Sequence, residues 1–235
     1  MKMTNFRGKS LLILCMTTIA LLSCQKEDGP ELTKEQEVPF EITNHFIAGT
    51  TTAQSGTKYT SVFFIQFLED NKALFINSSS TNLVGTYSLT EDELVFEVTG
   101  GNARIAKFTL DENKNVTSAY YKALEKEYDA TGELLKISET NELAGKTFKG
   151  EEFKMGGDSY QTGLIYSFNK AATSTYGSGT DATTIDKAAN NYTLIGGAGF
   201  KGVNGNKTEL GFVSKGKLTV FRSQGLFYYG KYEQQ

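Results

Sequence analysis

Few side chains in this chain are equipped for catalysis. Of 235 residues, one is His and two are Cys, which leaves little material for imidazole-based catalysis or a metal centre. His45 stands between polar Asn44 and apolar Phe46 and has no serine elbow to serve, so it is expected to be structural or exposed. Bis-histidine haem ligation is excluded. Acids adjoin one another at Glu91-Asp92-Glu93 and Glu151-Glu152. A glycosidase needs two acids facing each other across about 5–10 Å, and adjacency in sequence does not supply that. These are expected to be solvated charges. Gly197-Ala198-Gly199-Phe200-Lys201-Gly202 fits G-x-G-x-x-G after a strand-like stretch, Tyr192 to Ile195. Dinucleotide binding requires a helix next, whereas Val203-Asn204-Gly205-Asn206 follows, so a glycine-rich bend between strands is expected. Asp111-Glu112-Asn113-Lys114-Asn115 begins like a calcium loop, but Val116 and Lys122 occupy the positions that need Gly and Glu. It reads as a hairpin turn. No catalytic residue, metal site or cofactor is expected, and the chain is read as a non-enzyme.

The tyrosines offer more. Tyr120-Tyr121 and Tyr228-Tyr229 are adjacent pairs, with Tyr128 and Tyr232 close by. Neighbours on a strand point to opposite faces, so each pair sends one ring inward and one outward. An exposed tyrosine row can stack on sugars or contact a protein partner. Tyr120, Tyr121, Tyr228 and Tyr229 are the candidate aromatic binding face.

Composition bounds the rest. Hydrophobic residues make up 39% and charged residues 22%, with 24 Gly, 2 Pro and no Trp; these are globular proportions, neither disordered nor collagenous. The formal charge is -3, and beyond residue 23 the chain holds 21 basic against 27 acidic groups. A nucleic-acid binder needs a basic face, and no run of basic residues with interleaved aromatics occurs in the chain.

The N-terminus carries an address. Lys2, Arg7 and Lys9 precede the apolar run Leu11-Leu12-Ile13-Leu14-Cys15-Met16, which continues to Leu22. That order is a secretory signal and the run is short for a membrane span. Leu21-Leu22-Ser23-Cys24 resembles a bacterial lipobox, which implies acylation of Cys24 as the mature N-terminus. Gln25-Lys26-Glu27-Asp28 is similar to the lipoprotein export signal of Bacteroidota, in which Lys26, Glu27 and Asp28 imply display at the outer surface. The following residues are polar and carry Gly29-Pro30, as a flexible stalk would. With Cys15 removed and Cys24 lipidated, no disulfide is available to the mature chain.

From residue 40 onward, short apolar or alternating runs are broken every 8–12 positions by turn residues. Val62–Phe67, Leu94–Val98, Ile105–Leu110, Leu164–Phe168, Leu218–Phe221 and Leu226–Tyr229 have strand composition and length. Turns are expected at Glu69-Asp70-Asn71, Gly100-Gly101-Asn102, Asp129-Ala130-Thr131-Gly132, Asn204-Gly205-Asn206 and Ser214-Lys215-Gly216. The fold class is all-β and antiparallel, closed or sandwiched so that edges are not left open.

The body also repeats. Asn44–Gly49 resembles Asn141–Gly145, and Tyr59 with Phe67 matches Tyr160 with Phe168 at the same spacing. Gly85–Leu89 faces Tyr192–Leu194, Lys107–Leu110 faces Lys217–Val220, and Tyr120-Tyr121 faces Tyr228-Tyr229. The organisation expected is a signal peptide over 1–23, a tether over 24–39, one β lobe over 40–139 and a second over 140–235.

Leu143-Ala144-Gly145, Tyr166-Ser167-Phe168, Gly85-Thr86-Tyr87-Ser88-Leu89 and the closing pair Tyr228-Tyr229 resemble the pattern of the lipocalin-like lipoprotein domains of Bacteroidota. The Trp usual on the first strand of such barrels is missing, with Phe148 the nearest substitute. The resemblance implies two small duplicated barrels and an outer-membrane binding module for a small apolar ligand or glycan. It leaves open an accessory lipoprotein docking onto a membrane uptake complex or another surface protein.

Overall fold

The computed structural model describes residues 39–171 and 174–235. Cys24, Lys26, Glu27 and Asp28 lie outside the described residues, as do the expected signal peptide and nearly all of the tether.

The first lobe is a closed eight-stranded barrel in which each strand pairs with the next and the last returns to the first. Its strands are β1 (His45–Ala53), β2 (Thr60–Phe67), β3 (Lys72–Ile76), β4 (Leu83–Leu89), β5 (Glu93–Val98), β6 (Arg104–Leu110), β7 (Val116–Ala123) and β8 (Lys126–Lys136). Alternate residues point inward, as the period of two demands: Ile47, Phe63, Ile65, Phe75, Phe96, Phe108 and Tyr121 share one buried cluster. A single turn of 3-10 helix, Ile42–Asn44, precedes β1, and Ile42 packs against that cluster. This end of the barrel is stoppered. The other end is rimmed by the β1–β2, β3–β4, β5–β6 and β7–β8 loops.

The second lobe comprises β9 (Thr147–Lys154), β10 (Ser159–Phe168), β11 (Thr175–Gly179), β12 (Asn190–Asn191), β13 (Thr193–Ile195), β14 (Gly199–Asn204), β15 (Lys207–Ser214), β16 (Lys217–Gln224) and β17 (Leu226–Gln234). The sheet order is β12-β11-β10-β9-β17-β16-β15-β14-β13. Its two ends belong to one stretch of chain: Asn190–Asn191 pairs with β11 and Thr193–Ile195 pairs with β14. Counting that stretch as one strand, the second lobe repeats the eight-strand meander of the first. A boundary between lobes near residue 139 falls in the connection between β8 and β9.

The topology sorts the sequence matches. Phe67 and Phe168 end the second strand of each barrel, and Gly85–Leu89 and Tyr192–Leu194 both fall in the fourth. The last two pairs are displaced. Lys107–Leu110 lies in the sixth strand of its barrel, while Lys217–Val220 lies in the seventh, and the tyrosine pairs lie in the seventh and eighth. Strands with the same alternation match out of step as readily as in step. One turn is also corrected. Asp129-Ala130-Thr131-Gly132 is mid-strand in β8, paired with Thr52-Thr51-Thr50-Gly49 of β1; the chain reverses instead at Leu124-Glu125, where Leu124 takes φ 53°.

The two barrels share a core. Phe46, Ala48, Val62 and Phe64 point outward from β1 and β2, yet they are buried in one cluster with Leu210, Phe212 and Phe221 of the second barrel. The glycine-rich bend between β13 and β14 completes the fit. A Cβ on Gly199 would stand 2.7 Å from the Phe64 ring, and one on Gly197 would meet the Ser138 carbonyl oxygen at 2.6 Å. Glycine is needed there because the first barrel and the connecting chain press directly on the backbone, not because a phosphate does.

Candidate functional site

Most of both barrel interiors is filled by side chains, as small barrels require. At the loop end of the first barrel, however, a cavity of about 200 Å³ remains. Phe63, Phe75, Tyr121 and Tyr128 reach it from inside the barrel, Tyr59 from the β1–β2 loop, and Phe221 and Phe227 from the second barrel. Thr51, Ser61, Asn77, Ser78 and Arg104 add polar atoms. The site therefore belongs to both lobes.

Its walls are stacked. Phe63 lies 5.6 Å from Phe75 and 5.7 Å from Tyr121, and Tyr121 meets Tyr128 edge-on at 5.5 Å. Tyr59 contacts Phe227 across the lobe boundary with centroids 4.8 Å apart. Offset and edge-to-face rings hold one another in fixed orientations. Burial pushes the Tyr121 hydroxyl up to about 12, partly offset by the nearby Arg104 guanidinium. Burial likewise raises Tyr59. Both rings keep their protons at neutral pH and can donate a hydrogen bond. Arg104, at the start of β6, lies over the Phe75 ring at 4.9 Å and donates from Nε to the Asn102 carbonyl at 3.2 Å.

The four predicted tyrosines occupy four different surroundings. Tyr121 lines the cavity. Tyr120 points outward and donates to Glu127 Oε1 at 2.8 Å. Tyr228 turns into the second barrel, beneath Arg222 at 3.9 Å. Tyr229 faces a groove of about 280 Å³ between the lobes, beside Tyr59 and Phe153. They form no continuous row. Tyr59, Tyr128 and Arg104 complete the cavity and were not legible as a group, because three separate hairpins bring them together.

The second barrel holds charge instead of space, and Glu152, expected in solvent, is buried there. Arg222 Nε donates to Glu152 Oε1 at 2.9 Å, with a second bond from the guanidinium to the other carboxylate oxygen. Burial opposes the charge on Arg222, but Glu152 more than restores it. Glu209, fully buried, accepts from Tyr166 Oη at 2.9 Å and from Tyr176 Oη, and pairs with Lys207 at 2.9 Å. Burial and the Glu209 charge hold both tyrosines well above their ordinary range. Two acids meet two bases here, so the network closes on itself and is structural.

A larger depression, about 600 Å³, lies at the stoppered end of the first barrel between Glu91-Asp92 and Asp111-Glu112-Asn113. The Asp111 carboxylate there accepts from the backbone N–H groups of Asn113 and Asn115 and from Asn115 Nδ2, which lowers its pKa. The segment is a hairpin turn. His45 packs tilted against Phe40 with ring centroids 4.8 Å apart, and its Nδ1 lies 2.8 Å from the Glu41 carbonyl. Among the described residues no three His, Cys, Asp or Glu side chains gather to hold a metal ion.

No family model matches the chain, and no curated protein or solved structure matches it either.

Proposed function

We propose that this chain is a non-enzymatic lipoprotein, anchored to the outer membrane through Cys24 and displayed at the cell surface, which binds one sugar unit of a glycan at the loop end of its first barrel. The observation that carries the reading is the cavity bounded by Tyr59, Phe75, Tyr121 and Tyr128. At about 200 Å³ it is ring-sized, since a cavity of about 150 Å³ holds one benzene ring. It falls short of the roughly 300–1,000 Å³ of sites that enclose a whole drug-sized molecule. Flat apolar rings beside the hydroxyls of Thr51 and Ser61 and the amide of Asn77 match the two characters of a sugar, C–H faces and hydroxyl edges. The chain enters the first barrel beside Ile42, at the end opposite the cavity. Lipidation of Cys24 and the Lys26-Glu27-Asp28 signal supply the address, since attached acyl chains contribute about 0.8 kcal/mol per buried methylene.

Native mass spectrometry of the full chain in detergent, after incubation with a mixture of neutral and acidic oligosaccharides, tests the binding. A discrete retained mass that Tyr121→Ala abolishes is the expected result; a clean unliganded mass would overturn it. Cys24→Ala should move the protein from the membrane fraction to the soluble fraction.

A further inference from the structure

Arg104 is distinguished by what does not face it. The second barrel contains a comparable arrangement, with Arg222 over the Tyr228 ring as Arg104 lies over Phe75. There, Glu152 neutralises Arg222 and Glu209 neutralises Lys207. Among the described residues no carboxylate lies within 4.0 Å of the Arg104 guanidinium. Its Nε serves the Asn102 carbonyl, and the Tyr121 hydroxyl lies beside it. A guanidinium carries five N–H donors in a planar fork that matches a carboxylate, so this one retains donors at the wall of the cavity. A cation half-withdrawn from water without a counter-charge is costly. A ligand anion arriving at the fork would supply the missing charge.

Resting on the reading above, we infer that the bound ring carries a carboxylate, as a uronic-acid unit does, and that this group pairs with Arg104 while the ring lies among Tyr59, Tyr121 and Tyr128. The polar side favours a sugar acid over an aromatic one: Thr51, Ser61, Asn77 and Ser78 line the same cavity, and an aromatic acid would leave them without partners. Beyond residue 23 the chain holds 21 basic against 27 acidic groups, a net charge that repels anions at long range, so this one contact must supply the attraction.

The test uses two matched pairs of probes on the full chain in detergent: methyl glucuronide against methyl glucoside, and benzoate against benzyl alcohol. Titrations followed by NMR read the ring signals of Tyr59 and Tyr121 and the Arg104 Nε–H. The glucuronide should bind at least about tenfold more tightly than the glucoside, a charge-assisted bidentate contact being roughly twice as strong as a neutral one. Added salt should erode that preference. Arg104→Gln should bring the glucuronide down to the level of the glucoside, and Arg104→Lys should keep part of the preference. Equal affinity for the two sugars in both the native chain and Arg104→Gln would overturn the carboxylate pairing while sparing the cavity as a sugar site. Tighter binding of benzoate than of glucuronide would overturn the sugar-acid assignment. No shift of Tyr59 or Tyr121 with any probe would remove the binding reading itself.

Discussion

Phe64 of the first barrel meets Phe212 of the second edge-on, with ring centroids 6.3 Å apart and planes at 80°. Both rings stand on the outer faces of their barrels, where an isolated barrel would present them to water. Their burial makes the two lobes one cooperative structure. Calorimetry should show a single unfolding transition whose calorimetric and van't Hoff enthalpies agree. Phe64→Ala should cost about 3–5 kcal/mol, and two separated transitions in the native chain would contradict the shared core.

The Gly199 contact with the same ring gives a sharper test. A Cβ on Gly199 would intrude on the Phe64 ring, so Gly199→Ala should destabilise by about 1–3 kcal/mol through overpacking. In a Phe64→Leu background the obstacle is smaller, and the same substitution should cost measurably less. Equal costs in the two backgrounds, read from urea midpoints, would show that Gly199 serves something other than the lobe contact.

This shared core marks where sequence reading stopped. Val62-Phe63-Phe64-Ile65-Gln66-Phe67 is apolar at nearly every position, which signals a strand buried on both faces. That pattern marks β2 as a strand with a second layer on its outer side, but it cannot say what the layer is. Turns at Glu69-Asp70-Asn71 and Ser214-Lys215-Gly216 were legible because Asp70, Asn71 and Lys215 adopt positive φ beside glycine or polar neighbours. Asp129–Gly132 has the same composition and is nonetheless strand, held in register by β1. Arg104 was unreadable for another reason. Its significance lies in the absence, among the described residues, of a facing carboxylate, and only the assembled barrel decides what faces it.

Within the second barrel, the buried carboxylate should be far less tolerant of change than a nearby hydroxyl. Glu209→Ala would leave Lys207 and the Tyr166 and Tyr176 hydroxyls without their partner, at a cost of about 3–5 kcal/mol. Tyr232 Oη is buried, and among the described residues it has no hydrogen-bond partner. Tyr232→Phe should therefore be neutral or stabilise by up to about 1 kcal/mol, since it removes a desolvated group that gains nothing. Chemical denaturation ranks the two directly, and a larger loss for Tyr232→Phe than for Glu209→Ala would refute the network as drawn.

Alkaline stability reports on the wall of the cavity itself. Tyr121 is raised from 10.0 to about 12, chiefly by burial. Between those values the unfolded chain has released the phenolic proton and the folded chain has not. The unfolded state then binds fewer protons, so stability declines as pH rises. The contribution is fully present below pH 10 and is lost through pH 12, where it amounts to about 2 kcal/mol for this one ring. Tyr229, raised to about 12 by burial as well, adds a similar slope. Tyr121→Phe should flatten the decline between pH 10 and 12 without touching the profile at pH 7. A Tyr121→Phe curve parallel to the native one over that window would mean that the Tyr121 hydroxyl meets water in the folded protein and is not buried in the cavity wall.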